Sequence, residues 1–342
     1  MSEPAVSVIV PARDAAPTLE RTLQALRAQQ LAEAFEVIVV DDGSGDDTAS
    51  IAKVHEPFVR LISNERSAGP GGARNCGVQA ARAPTLAFTD ADCFPTPRWL
   101  ANGLDAIADA DLVQGRVEPD PGVPRTPFDR TLVVESDGGF YQTANLFVRR
   151  EVFDGVSGFR DWALERRGRQ GWSVDRRRSR ETRTPIGEDT LFAWSARRTG
   201  ARSTFAYHAL VYLAVVPGDL RDEIADRWHW TRDMPGLARL VPELREGTFY
   251  RRWFFARWTV PFDLAVVGIA AAVTTRHKAW LLSLSPYMRR LWRETAPYRD
   301  RRAPRLSKMR RCASYFLGTP AVDAATFAGL LAGSVSWRSL VL

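Results

Sequence analysis

Thr85-Leu-Ala-Phe-Thr-Asp-Ala-Asp-Cys93 decides how this chain is read. An apolar run suited to a β-strand stops abruptly at two carboxylates, Asp90 and Asp92, one residue apart. Side chains alternate along a strand, so the two acids can converge on one side where the strand opens into a loop. Two hard oxygen ligands at the carboxyl end of a strand suit a divalent cation that also grips phosphate. An acidic turn without metal satisfies the same residues, so the flanking sequence has to choose.

Outward from that stretch, strand and helix patterns alternate. Residues 6–10 are β-branched and apolar, as in a fully buried strand, and Pro11-Ala-Arg-Asp ends them. Pro17 opens a helix with Leu19, Leu23 and Leu26 on one face. Residues 36–40 form a second buried strand, closed by Asp41-Asp42-Gly43-Ser44-Gly45, and a helical pattern covers about 48–54. A shorter strand at 59–62 precedes the glycine-rich Ser67-Ala-Gly-Pro-Gly-Gly-Ala-Arg-Asn-Cys-Gly77, which leads into helix through Ala81. A helix with Leu100, Leu104 and Ile107 follows the two acids. This alternation predicts a parallel sheet with helices on its faces. Ligands of such sheets lie off the carboxyl ends of the strands. Three strand ends, at Arg13/Asp14, Asp41/Asp42 and Asp90/Asp92, are therefore predicted to open on one crevice. Gly69, Gly71 and Gly72 lack the G-x-G-x-x-G spacing of a dinucleotide loop, which argues against a dehydrogenase.

Residues 112–117 and 143–148 read as further strands, and the proline-rich 119–127 as loop. The arginine-dense stretch 160–183 is either a mobile surface loop or an ordered lid that binds anions. Residues 188–198 return to helix with Leu191, Phe192 and Trp194 as core candidates, and 203–207 and 210–216 are strand-like. Beyond Pro217 the character changes. Asp219 is placed to cap a helix, and residues 251–273 are rich in tryptophan, phenylalanine and arginine. The uncharged run between Asp263 and Arg276 is well short of the ~20 residues that span a bilayer. Asp323 interrupts the apolar tail at 315–337. Neither stretch reads as a clean transmembrane helix. Aromatic residues interleaved with arginine fit helices lying in a membrane interface; a subdomain packed on the catalytic core, or a dimer contact, fits them too. The expected division is a catalytic domain at 1–216 and a helical, membrane-associated region at 217–342.

The 342 residues carry a net charge of +7, and lysine occurs only at Lys53, Lys278 and Lys308, so the positive charge is nearly all arginine. Such a balance suits anionic partners. No nucleic-acid module is recognisable, and the basic stretch holds only Trp162 and Trp172 for stacking, so nucleic acid is not an expected partner. Cys76, Cys93 and Cys312 form neither a zinc pattern nor a disulfide framework, which favours a reducing compartment. Met1-Ser-Glu-Pro lacks the basic region of a secretory signal.

In order, Val8-Ile-Val-Pro-Ala-Arg, Val39-Val-Asp-Asp-Gly-Ser, Gly72-Ala-Arg-Asn-Cys-Gly, Thr89-Asp-Ala-Asp, Thr143-Ala-Asn-Leu-Phe-Val-Arg-Arg and Gly187-Glu-Asp resemble the motifs of the family-two, inverting glycosyltransferases of the GT-A fold. The resemblance covers roughly residues 6–216. It implies an α/β fold, a mixed nucleotide-binding sheet with helices on both faces, and transfer of a sugar from a nucleotide-sugar to a glycan or lipid-linked acceptor. By resemblance, Asp42 would read the nucleobase, with the backbone of Pro11, Ala12 and Arg13 as the opposite wall. Asp41 would either share that task or cap the next helix. Arg74 resembles the family's arginine near the nucleotide. Asp92 would coordinate Mn²⁺ or Mg²⁺, Asp90 and Ala91 would lie at the donor, and Asp189 would be the general base. Asn145 and Glu188 would lie on the acceptor side.

Two departures stand out. Val211-Tyr212-Leu213 replaces the Val-Tyr-His pattern that supplies a further metal ligand in many relatives, leaving His208 as the candidate substitute. Ile224 stands first in what would be the Gln/Arg-x-x-Arg-Trp signature of processive synthases, so single-sugar transfer is expected. The expected setting is the cytoplasm, at the inner face of the cell membrane. The alternative is a non-catalytic GT-A-fold module that binds nucleotide or anions.

Overall fold

The structure, a computed structural model, describes residues 3–160, 187–296 and 305–342. Residues 161–183 of the arginine-dense stretch, proposed above as loop or lid, lie outside the described residues. The chain forms two compact units, one of residues 1–122 and 131–214, the other of 123–130 and 215–342.

In the first unit one sheet of eight strands runs in the order β3-β2-β1-β4-β7-β6-β8-β5. Its first half follows the sequence pattern. β1 (Val6–Ala12), β2 (Phe35–Asp41), β3 (Val59–Ser63) and β4 (Thr85–Phe88) are parallel. α1 (Ala16–Arg27), α2 (Thr48–Val54) and α3 (Gly69–Ala80) connect them. Leu19, Leu23 and Leu26 of α1 are fully buried, as a 3–4 spacing requires of a helix with one inward stripe. α3 starts at Gly69, inside the glycine-rich stretch rather than after it. A Cβ on Gly77 would come within 2.7 Å of Ile9, so the glycine lets α3 lie close on the sheet.

The second half is antiparallel in part, so the sheet is mixed, as the family resemblance implied. β7 (Leu146–Arg149) pairs antiparallel with both β4 and β6 (Leu112–Pro119). β8 (Ser203–Leu213) runs parallel to β6, and β5 (Cys93–Pro95) pairs antiparallel with its end. The two short strands expected at 203–207 and 210–216 are one strand. It is broken in register opposite Gly115 and Arg116, where Gly115 pairs with Ala206 and Arg116 with Leu210.

Asn145 holds that irregularity. It is fully buried; its Oδ1 accepts from the Trp99 indole at 2.8 Å, and its Nδ2 donates to the carbonyls of Arg116 and Ala209, each at 2.8 Å. A Cβ on Gly115 would lie 2.3 Å from the Asn145 amide. Trp99, in α4 (Trp99–Ile107), packs on Phe147 with ring centroids 5.0 Å apart. α5 (Arg150–Gly155) follows β7, and α6 (Glu188–Arg198) precedes β8.

The second unit is helical: α7 (Leu220–Leu240), α8 (Val260–Thr275), α9 (Leu284–Glu294) and α10 (Arg305–Trp337). Asp219 caps α7 by accepting from the Asp222 N–H at 2.8 Å. Met309–Trp337 is long and apolar enough, by length and composition, to cross a membrane, which the interruption at Asp323 concealed in the sequence. Asp323 is buried within the unit and bound by Tyr287 at 2.9 Å and Arg290 at 3.1 Å.

Asn145→Ala strands the Trp99 N–H and two carbonyls in the core. We expect a loss of about 2–4 kcal/mol in urea unfolding, with Gly115→Ala comparably harmful through its clash with the amide.

Candidate active site

β4 ends at Phe88, and Thr89 then fixes the exit by donating to the Ala144 carbonyl at 3.1 Å. The chain turns through Asp90 to Asp92 into β5, with the Cys93 N–H bonded to the Asp90 carbonyl at 3.1 Å. Asp90, Asp92 and Cys93 each offer one ligand atom within 4.8 Å of the others.

The partners of these acids come from two other elements. Arg74, on α3, is 5% exposed. It donates to Asp90 at 2.7 Å and to Glu188 at 3.2 Å. Glu188 and Asp189 open α6, where the helix dipole favours negative charge. Gly187, at φ 102°, supplies the left-handed turn into that helix. One guanidinium thus joins the β4 exit to the α6 start, and the Arg74 Nε has no hydrogen-bond partner among the described residues.

Electrostatics sharpen the cluster. Burial, then the Asp90 charge, raises Asp92 to about 6. Burial, then the Glu188 charge, raises Asp189 to about 7, against the N–H groups of Thr190 and Thr143 and the charge of Arg74. Burial lowers the Arg74 pKa, but the Asp90 and Glu188 charges overcome it and leave the group above its ordinary value. Burial and the two adjacent carboxylates push the Cys93 thiol up, so it stays protonated. A pair of hard carboxylate ligands fits Mg²⁺ or Mn²⁺.

Several residues expected at the site are occupied elsewhere. Both oxygens of Asp42 are taken: Oδ1 by Asn64 and the Ala68 N–H, each at 2.8 Å, and Oδ2 by Ser67 at 2.6 Å and the Gly69 N–H at 3.0 Å. A carboxylate offers about four such positions, and Asp42 uses them to brace the loop leading into α3. Burial raises Asp42, but these four bonds bring it below its ordinary value. Asp41 accepts from the N–H and hydroxyl of Ser44 and closes its own turn. Ala91 points into the core, and its carbonyl accepts from Thr22 at 2.9 Å.

Asn145, expected near an acceptor, is the core staple described above. His208 lies outside the Asp90–Asp92–Cys93 group: it is exposed, its ring meets Tyr207 edge-on, and its carbonyl accepts from Asn102 at 2.7 Å. The β8 residue paired with Cys93 is Leu213, so the strand position nearest the acids is apolar. Pro11 and Ala12 end β1, and the largely exposed Arg13 donates to Ser67 at 2.7 Å, beside the Asp42 brace. Sequence reasoning missed that brace and the Arg74–Glu188 pair; Asn64 and Ser67, two polar residues flanking the entry to α3, were the available signal.

A parallel β1–β4 core extended by antiparallel strands, with acids at its carboxyl edge, is the GT-A architecture. Residues 7–160 match the family described as Glycosyl transferase family 2. Glycosyltransferase AglE of Haloferax volcanii is 34% identical over 171 residues, 46% of this chain and 56% of that protein. Succinoglycan biosynthesis protein ExoU of Rhizobium meliloti is 31% identical over 232 residues, 63% of each chain. This chain thus spans less than two thirds of the length of either relative. The mannosyltransferase PcManGT from Pyrobaculum calidifontis, solved with GDP-Man and Mn²⁺, shares the fold at a TM-score of 0.53 and 19% identity. The match covers 99% of this chain and 88% of that one.

The raised pKa of Asp189 fixes a sign. Between about pH 4 and 7 the unfolded carboxyl has lost its proton while the folded one keeps it, so stability falls as pH rises across that window. Asp189→Asn removes the cost. In the ligand-free protein we expect it to gain about 1–2 kcal/mol at pH 8 and nothing near pH 4, read from thermal melts at both values.

Proposed function

We propose that the chain is an inverting, metal-dependent glycosyltransferase that moves one sugar from a nucleoside-diphosphate sugar to an acceptor hydroxyl. The observation that carries this reading is the Arg74 bridge, which ties Asp90, two residues before Asp92, to Glu188, the chain neighbour of Asp189. The acceptor is a lipid-linked or cell-envelope glycan precursor, presented at the inner face of the cell membrane. The similarity to ExoU, a succinoglycan biosynthesis protein, supports a polysaccharide precursor. The GDP-Man and Mn²⁺ of the mannosyltransferase neighbour support the donor class and the ion.

In this mechanism the donor base and ribose lie along Pro11, Ala12 and Arg13, with the loop braced by Asp42 as the adjoining wall. Asp92, aided by Asp90, would hold Mn²⁺ or Mg²⁺, which when bound stabilises charge growing on the leaving diphosphate. Arg74 holds Asp90 and Glu188 in place and adds fixed positive charge near the same oxygens. Asp189 takes the proton of the acceptor hydroxyl as that oxygen attacks the anomeric carbon from the face opposite the diphosphate. A carboxylate poised near 7 is matched to proton abstraction at neutral pH, which a carboxylate at its ordinary value is not.

Donor turnover should require Mn²⁺ or Mg²⁺ and stop on chelation. Asp92→Ala should lower kcat by about 100-fold or more, and Asp189→Asn by about 100- to 10,000-fold with donor affinity kept. The wild-type rate should rise with pH through an acid limb near 7. Turnover indifferent to chelation and to both substitutions would sink the mechanism. Nucleotide binding without any turnover would instead favour the binding-module reading.

A further inference from the structure

The second unit exposes a fixed apolar hairpin. α8 is apolar on all sides, yet Leu264, Val267 and Val273 are exposed, Val273 by 73%. Every residue from 273 to 282 is exposed, including Trp280, Leu281 and Leu282, the last by 76%. An apolar surface of this extent is not left facing water without a partner. The chain then returns closely on α8: a Cβ on Gly268 would lie 1.7 Å from the Ser283 hydroxyl. α9 turns Tyr287 and Leu291 inward, while Met288 and Trp292 are exposed one turn apart. Its base is tied down by Tyr287 and Arg290 on Asp323 and by Arg290 on the Trp258 carbonyl at 3.0 Å.

Charge selects what covers this surface. From residue 264 to residue 293 the sequence holds no aspartate or glutamate. Arg276, Lys278, Arg289 and Arg293 are all exposed there. A twofold contact with a second copy would set these cations against their own equivalents. An anionic lipid surface accepts both features, the apolar side chains entering the boundary between headgroups and acyl chains and the cations meeting phosphate. The 16 residues of α8 reach about 24 Å, short of the ~30 Å hydrocarbon core, so the helix suits the interface rather than a crossing.

We propose that the α8–α9 hairpin is a docking surface for an anionic bilayer, with Trp280, Leu281 and Leu282 as the inserting tip and Arg276, Lys278, Arg289 and Arg293 as the headgroup contacts. This deepens the membrane-side acceptor reading and rests on it for its biological purpose, but vesicle binding is scored apart from turnover.

The test is flotation of the full chain with vesicles of phosphatidylcholine alone or mixed with phosphatidylglycerol. The unaltered protein should prefer the anionic vesicles by about 600-fold, each of the four cations contributing about fivefold, and added salt should weaken that preference. Leu281→Asp with Leu282→Asp should lose at least tenfold on both vesicles. Arg289→Glu with Arg293→Glu should reduce binding to the phosphatidylcholine level. The substituted side chains are exposed, so melting temperature and solution turnover of soluble substrates should be kept. Absence of vesicle binding, binding unchanged in both variants, or a dimer that Leu282→Asp dissociates would each overturn the proposal. Vesicle binding without turnover would leave it standing while removing the enzymatic reading.

Discussion

The guanidinium of Arg74 is the constraint on which the site depends. It is buried, and it binds one carboxylate from the β4 exit and one from the start of α6, elements a hundred residues apart in the chain. Burying a cation is costly unless charges of the opposite sign meet it with good geometry. Here Asp90 and Glu188 do so. Both acids are only partly buried, so the charge that needs compensation is that of Arg74. The pair therefore pins α3, β4 and α6 in one arrangement.

What remains on either side of that bridge is an excess of negative charge. Asp92 has no cation of its own among the described residues and sits against Asp90, while Asp189 sits against Glu188. Both are held above the usual carboxylate range for the same reason, desolvation plus a like charge. Such an arrangement costs stability in the ligand-free state, as expected of a site organised for a ligand rather than for folding. In the mechanism proposed above, a divalent cation with a diphosphate would relieve the first acid, and a hydroxyl proton the second.

The loops around the site show a division of labour that side-chain type alone conceals. Three aspartate-rich strand ends look equivalent in the sequence. Asp41 closes its own turn, Asp42 clamps the entry to α3, and Asp14 accepts from the Gly45 N–H at 2.8 Å. At the third strand end Asp90 is bonded to Arg74, and Asp92 has no cation partner among the described residues. The first two keep the loops rigid, and through α3 they keep Arg74 where it is. The second unit follows different physics. Its helices are secured by a buried Asp323 cluster, and its exposed face is apolar and cationic.

Local pattern was enough for the first half of the sheet. Residues 6–10 and 36–40 are continuous apolar β-branched runs, and Leu19, Leu23 and Leu26 recur at helical spacing, so strands, helices and their alternation were legible without any long-range information. The family's ordered motifs were legible for the same reason, each being a short contiguous string. Tertiary structure alone decided the antiparallel insertion of β7 between β4 and β6, because strand direction is set by hydrogen-bond partners far away in sequence. It likewise decided that Asn145 serves Trp99 and two carbonyls, that the donors to Asp42 come from residues 64–69, and that Leu213, not His208, lies opposite Cys93. A polar side chain announces that it needs partners; which partners satisfy it is settled only when the chain has folded back on itself.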